Sequence, residues 1–419
     1  MSTNESTVNK SIGKTVGIIA EYNPFHNGHL YQIEKIREEF DDAYIVAIMS
    51  GNFTQRGEAA ILDKWQRARL AVENGVNLVL ELPFVYAVSS AQLFAYGGIK
   101  ILNKLNIIDS LAFGCETADF DILQKIADYS MTREFKNHFT DSMLKGNSYA
   151  KSVENALCLG MGASISDIIR EPNNILAVEY LKSLIMLKNN IRPFPIKRYA
   201  AGHKDGKIHG TIASGTAIRN AVSKNNLDEI ASAVPQNTFE ALKLIKDVPS
   251  VSRLYRSLQT IMTRSYNEDI YKIHGLSEGI ENRLMYIINS SKTYEDFCAN
   301  VSGKRYPQTR IMRTCLYILM NIDQDLFITA ADHDNLYARI LAFDNKGREI
   351  IKSIKENSKI KIVNKTSKFI PPAFMRHHDT YPPFAMISID ITATQLYSLC
   401  RSEAIPFLDD FTTSPIFVE

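Results

Sequence analysis

From Thr15 onward the chain alternates short apolar runs with segments whose apolar residues recur at helical spacing. "VGIIA" (16–20), "AYIVAIM" (43–49), "NLVLELP" (77–83) and "SLAFG" (110–114) read as strands. Leu30 to Glu39, the "DKWQRARLAVENG" segment from Asp63 and "SAQLFAYGGIKILNKL" (90–105) read as the helices between them. Asp63 is a cap-type residue and Gly75 a stop, so the second helix has both of its ends marked. Continuous apolar strands alternating with helices predict an α/β fold, a doubly wound parallel sheet covered on both faces. Ligands in such sheets bind beyond the carboxyl ends of the strands.

Further along, 119–162 looks helical and polar, an insertion. "PNNILAVEYLKSLIML" is a helix started by Pro172, "RPFPIKRYA" a further strand, and "SGTAIRNAVS" a loop entering a helix. After about Asn237 the pattern becomes helical, and strand-like runs return only weakly at "KIKIVNK" and "FAMISIDIT". The expected division is a disordered extension over 1–14, an α/β domain over 15–235, and a mainly α-helical C-terminal half over 236–419.

Composition narrows the function. A chain of 419 residues with 45% hydrophobic and 22% charged residues is an ordinary globular protein of two or three domains. Its net charge of +2 means that any nucleic-acid affinity must come from local basic surfaces. The five cysteines have neither zinc-finger nor redox-motif spacing, which suggests a reducing compartment. The polar start lacks a signal-peptide core, and no apolar run is long enough to span a bilayer, so a cytoplasmic location with no membrane partner is expected.

Candidate chemistry concentrates in "NPFHNGHL", between the first strand and the first helix. Pro24 fixes the exit from the strand, and Gly28 lets another group approach the backbone. A helix opening near Gly28 aims free N–H groups and a positive dipole end at an anion, and phosphate is the obvious one. His26 and His29 add donors for phosphate oxygens. An isolated H-x-x-H is as readily a pair of surface or capping histidines; position after the first strand of a doubly wound domain favours the phosphates of ATP. P-loop and GxGxxG signatures are absent, as are HExxH and cysteine clusters, so no metal ligands are assigned.

"HNGH" matches the HxGH signature of the nucleotidyltransferase superfamily, and "SGTAIR" resembles its second, Ser/Thr-x-x-Ile-Arg signature. More narrowly, "GIIAEYNPFHNGHL", "MSGNFTQRGEAAILDKW", "GVNLVLELPFVYAVSSAQLFAYGGIKIL", "FGCE", "PNNILAVEY" and "RPFPIKR" resemble the bacterial tRNA(Met) cytidine acetate ligases. "GLSEGIENRL", "KRYPQTRIMR" and "ARILAFDNKGREII" carry the likeness through the second half. Gly215, where the family would have Ala, and Met312, in a run usually more basic, are departures. The resemblance implies a nucleotidyltransferase-like Rossmann fold. It also implies an enzyme that activates acetate with ATP as acetyl-adenylate and passes the acetyl group to N4 of the wobble cytidine of elongator tRNA(Met). His26, His29 and Thr216 would then act in catalysis. ATP would lie against Ile19, Ala20, Glu21, Tyr22, Asn23, Pro24, Phe25, His26, Asn27, Gly28, His29 and Leu30, together with Gly114, Asn173 and Arg198. Mg²⁺ is expected on the phosphates, with few or no protein ligands.

In the second half Lys304, Arg305, Arg310 and Arg313 interleave with Tyr306. Arg310 and Arg313, three apart, share a helix face that could track an RNA backbone. Gln55, Arg56, Lys64 and Arg67, in the turn after the second strand, could meet RNA or phosphate, or be a solvated loop. "MRHHDTYPP", with Arg376, His377 and His378, raises a weaker metal alternative. Two rival readings stay open: a small-molecule adenylyltransferase, and a non-catalytic RNA-binding protein with a relic nucleotide site.

Overall fold

The structure is a computed structural model that describes residues 12–198, 211–264, 268–277, 279–332, 335–370, 382–402 and 410–419. Five parallel strands come from the first half: β1 (Thr15–Ala20), β2 (Tyr44–Ser50), β3 (Leu78–Leu82), β4 (Ser110–Cys115) and β5 (Arg192–Lys197). Alternate residues feed two cores. Ile45, Ala47 and Met49 of β2 meet Ile33 and Ile36 of helix α1 (Asn27–Glu39) and Ala68 and Val72 of helix α2 (Lys64–Glu73). Val46 and Ile48 meet Ile99 and Leu102 of the helix Ala91–Leu105 on the other face. Burial on both faces is why β1 to β4 read as mainly apolar runs.

The strand order, β5-β4-β1-β2-β3, places β2 and β4 on opposite sides of β1. The chain therefore reverses its winding direction between β1 and β4. Their carboxyl ends form the crevice in which doubly wound sheets bind ligands.

Two features of the second half differ from the expectation. The sheet continues past β3 into β6 (Tyr337–Phe343), which runs antiparallel to it, then β7 (Lys361–Val363), with β8 (Ile416–Phe417) on β6. Residues 236–419 thus supply three of the eight strands as well as helices. "FAMISIDIT" is not a strand but part of the helix Pro382–Ser398. Its Ala385, Met386, Ile387, Ile389 and Ile391 are all buried, so no polar face betrays a helical period. Among the described residues no helix is long and apolar enough to cross a membrane.

Buried charges join the two halves. Lys64 lies 2.8 Å from Glu81 and 3.1 Å from Asp410, and Arg339 lies 2.7 Å from Asp410 and 3.2 Å from Glu81. Close by, Asp390 accepts the Phe84 N–H at 2.7 Å and the Tyr337 hydroxyl. Burial, then the charge of Glu81, pushes its carboxyl up to about 7. A carboxyl whose pKa is higher folded than unfolded (about 3.9) holds its proton preferentially in the native state. Its contribution to stability therefore declines as pH rises from about 4 to about 7. Urea midpoints at a series of pH values should show that decline in the wild type, and a flatter dependence in Asp390→Asn. Superimposable profiles would show that Asp390 does not titrate there.

Candidate active site

Between the end of β1 and the start of α1, Tyr22 takes a left-handed φ of +46° and the Asn23–Pro24 peptide is cis. His26 caps α1: its Nδ1 accepts the Gly28 N–H at 3.1 Å, while His29 Nδ1 accepts the His26 N–H at 3.2 Å. The imidazoles stack with centroids 3.7 Å apart, and the Tyr22 and Phe25 rings pack against His29. A Cβ on Gly28 would lie 3.0 Å from His26 Cε1, so a side chain there would push the first ring aside.

This reciprocal cap fixes the tautomers. Each Nδ1 is an acceptor, so each neutral ring carries its proton on Nε2 and presents it as a donor. Burial, reinforced by the positive charge of Arg198, lowers the His26 pKa to about 3. His29 is held well below the usual histidine range by burial, by His26 and by Arg198. Both rings are thus neutral donors at neutral pH. The expectation of free backbone N–H groups is corrected: the Asn27 N–H bonds Ala233 O, that of Gly28 His26 Nδ1, and that of His29 His26 O. The histidine rings, more than the helix backbone, present donors here.

The second wall comes from β4 and β5. Gly114 pairs in register with Ile196, and Arg198 N–H donates to Cys115 O at 2.9 Å. That register lays the Arg198 side chain across Gly114, 3.2 Å from where a Cβ would stand. Asn173, in the first turn of the helix Pro172–Met186, donates its side-chain amide to Glu116 at 2.5 Å, and the Asn174 N–H bonds the other Glu116 oxygen at 2.9 Å. Glu116 therefore satisfies the positive end of that helix and holds Asn173 beside the β4 terminus. The sequence reading left it unassigned, although it closes the "FGCE" motif.

The loop carrying Thr216 docks on the β1 exit. Ser214 caps the helix Gly215–Ser223, and Arg219 donates to Asn23 O at 2.8 Å, to Glu58 at 3.1 Å and to Thr216 Oγ1 at 3.3 Å. A Cβ on Gly215 would come within 3.0 Å of Asn23 O, which suits glycine where the family resemblance leads one to expect Ala. Arg219 was missed as a site residue, though it ends the quoted signature. Of the nucleotide-site candidates, the Glu21–His29 turn, Arg198 with Gly114, and Thr216 come together, with Asn173 adjoining through Glu116. Ile19 belongs to the core behind β1, Ala20 ends the strand, and Leu30 packs towards the other face of the sheet. Asn27 ties α1 to Thr211 O and Ser232 O.

The turn after β2 behaves differently from its expectation. Arg67 is fully buried and donates to the carbonyls of Glu21, Ser50, Gly51 and Leu62, and Lys64 belongs to the buried cluster above. Neither can meet RNA. Gln55 donates its backbone N–H to Glu21 at 2.7 Å, and Arg313 donates to Gln55 O at 3.1 Å. Gly57, at φ +81°, sits against the Met312 and Arg313 backbone, where no side chain would fit. Arg313 is thus half-buried and clamps the turn, while Arg310 stacks on Tyr306 and reaches Ser277. Lys304 and Arg305 are exposed. Among the described residues no three His, Cys, Asp or Glu side chains are grouped to hold a metal ion. Arg376, His377 and His378 lie outside those residues.

The HIGH Nucleotidyl Transferase family model matches residues 13–407. A tRNA(Met) cytidine acetate ligase of Caldanaerobacter subterraneus subsp. tengcongensis is 38% identical over 95% of this chain and 98% of its own length. One of Alkaliphilus metalliredigens is 36% identical over 92% and 94%. The crystal structure of apo Thermotoga maritima TmcAL superposes with a TM-score of 0.89 at 32% identity, covering 97% of this chain and 99% of that one. The same protein bound with alpha-thio ATP gives 0.86 at 31% identity.

Proposed function

The chain belongs to the HIGH nucleotidyl transferase family, and from that membership we propose the reaction its site performs. It is a tRNA(Met) cytidine acetate ligase, the activity that its relatives' names state, and it uses ATP, an analogue of which is bound by the similar Thermotoga maritima protein. A single observation carries the chemistry: two stacked neutral imidazoles with protons on Nε2, beside Arg198, at the crevice where the sheet reverses.

In the first step acetate is the nucleophile. Its oxygen attacks the α-phosphorus of ATP, the bond to the β-phosphate oxygen breaks, and pyrophosphate leaves as acetyl-adenylate forms. No protein nucleophile or base is required, only alignment and charge stabilisation. His26 and His29 donate to phosphate oxygens without having to lose or gain a proton. Arg198 adds a fixed positive charge, and Thr216, held by Arg219, presents its hydroxyl from the covering loop. Mg²⁺ would ride on the triphosphate, which suits a site whose described residues hold no carboxylate cluster.

In the second step the N4 amine of the wobble cytidine attacks the acetyl carbonyl. AMP leaves and the amine gives up one proton. Exposed Lys304 and Arg305, in the bend just before the helix Gln308–Leu319, are the candidates for RNA backbone contact, and Arg310 and Arg313 lie on that helix. A cytoplasmic location would bring the enzyme together with both substrates, ATP and tRNA. Incubation with labelled acetate, ATP and elongator tRNA(Met) should give labelled N4-acetylcytidine and equimolar pyrophosphate, read by nucleoside mass spectrometry. Label entering from acetyl-CoA without ATP would overturn this reading.

A further inference from the structure

A cavity of about 740 Å³ lies where the turn after β2, the helical insertion and the helix Gln308–Leu319 converge. Its size is within the range of ligand pockets, about 300–1,000 Å³. Adenylation of acetate gives it no use.

Two of its lining side chains are held in place, yet each leaves one buried polar atom without a partner among the described residues. Gln55 is pinned through its backbone, by Glu21 on one side and Arg313 on the other, while its side-chain Nε2 is buried without an acceptor. Glu179 has one oxygen on Lys182 Nζ at 2.8 Å and the other buried without a donor. Buried polar groups are normally paired, so an unpaired donor and an unpaired acceptor bordering one cavity point to an absent ligand. The ligand must offer an acceptor to Gln55 and a donor to Glu179.

Location narrows it further. Gln55 touches Glu21 of the nucleotide site. Glu179 lies on the helix whose first turn holds Asn173, about 9 Å along the axis at about 1.5 Å per residue. The rings of Phe135 and Tyr149 also line the cavity, and exposed Arg56 stands at its edge. Aromatic faces and a cation beside an adenylation site suit a nucleotide unstacked from RNA.

We propose that this cavity receives the cytosine to be acetylated, its exocyclic amine donating to Glu179 and its O2 accepting from the Gln55 side chain. The assignment rests on the reading of the substrate as a tRNA cytidine. It also supplies base specificity. Uracil has O4 where cytosine has its amine, and a carboxylate facing O4 repels it.

The test compares the affinity of the full-length protein for tRNA(Met) transcripts that carry C or U at the substrate position, at one salt concentration. Wild type should prefer C by about tenfold. Glu179→Gln can turn an amide N–H towards O4, so its ratio should fall to about one. Gln55→Ala removes a contact common to both bases, so it should weaken both transcripts and keep the ratio. If Glu179→Gln folds and still prefers C by the wild-type factor, the assignment is overturned. Where Glu179→Gln does not fold, unchanged affinity in Gln55→Ala overturns it instead. The functional reading fails separately, when wild type makes no acetylcytidine from acetate and ATP.

Discussion

His29→Ala is expected to release pyrophosphate from ATP and acetate about 10²–10³-fold more slowly than wild type, the usual cost of removing one preorganised donor from a developing charge. His29 is preorganised by its cap: Nδ1 is committed to the His26 N–H, and the ring is fixed between His26, Tyr22 and Phe25. Alanine removes the donor and also an acceptor from the start of α1. His29→Gln separates the two roles, because glutamine at this helix position can still accept from the cap residue's N–H. Glutamine should therefore restore the thermal midpoint more fully than the rate. The pH profile offers an independent check. With His26 lowered to about 3 and His29 held well below its ordinary value, neither ring changes charge in the usual histidine range. The rate of the first step should show no inflection near 6.5 from these groups. Near-wild-type turnover in purified His29→Ala would remove this ring from the chemistry.

The parts of this site that were legible in the sequence are those that local pattern specifies. β1 to β4 are mainly apolar because both faces are covered, with Glu81 of β3 a buried exception, and the two-histidine turn follows directly from β1. What stayed hidden depends on partners far away in the chain. Arg339 sits in the middle of β6, which makes "YARILAF" an unpromising strand until Glu81 and Asp410 are known to surround it. Lys64 and Arg67 resemble solvated or RNA-facing charges for the same reason, since nothing near them in sequence announces burial. Arg313 was placed correctly on its helix, but its role depends on Gln55, which no periodicity connects to it. Helical spacing tells which residues share a face and is silent about what that face meets.

Lys64→Met should lower the stability of the folded chain by about 3–5 kcal/mol, read as a fall in the urea midpoint, because it leaves a buried charge without its partner. The cluster holds two cations, Lys64 and Arg339, against two anions, Glu81 and Asp410, and Lys64 has no solvent exposure. Removing one cation leaves Arg339 to balance two carboxylates in a place water does not reach. Adding Glu81→Gln to Lys64→Met restores the balance of charge, so the double variant should recover part of the loss, in a non-additivity that a surface pair would not show. A fall below about 1 kcal/mol would mean that the cluster is solvated like an exposed pair. The consequence reaches the active site through the fold. Asp63 caps α2 immediately before Lys64, and Arg67 on the same helix holds the carbonyl of Glu21 at the exit of β1. Asp410 and Arg339 come from the far end of the chain. The second half thus steadies the helix that fixes the nucleotide turn, and acetate activation in Lys64→Met should fail at a lower urea concentration than in wild type, in step with unfolding.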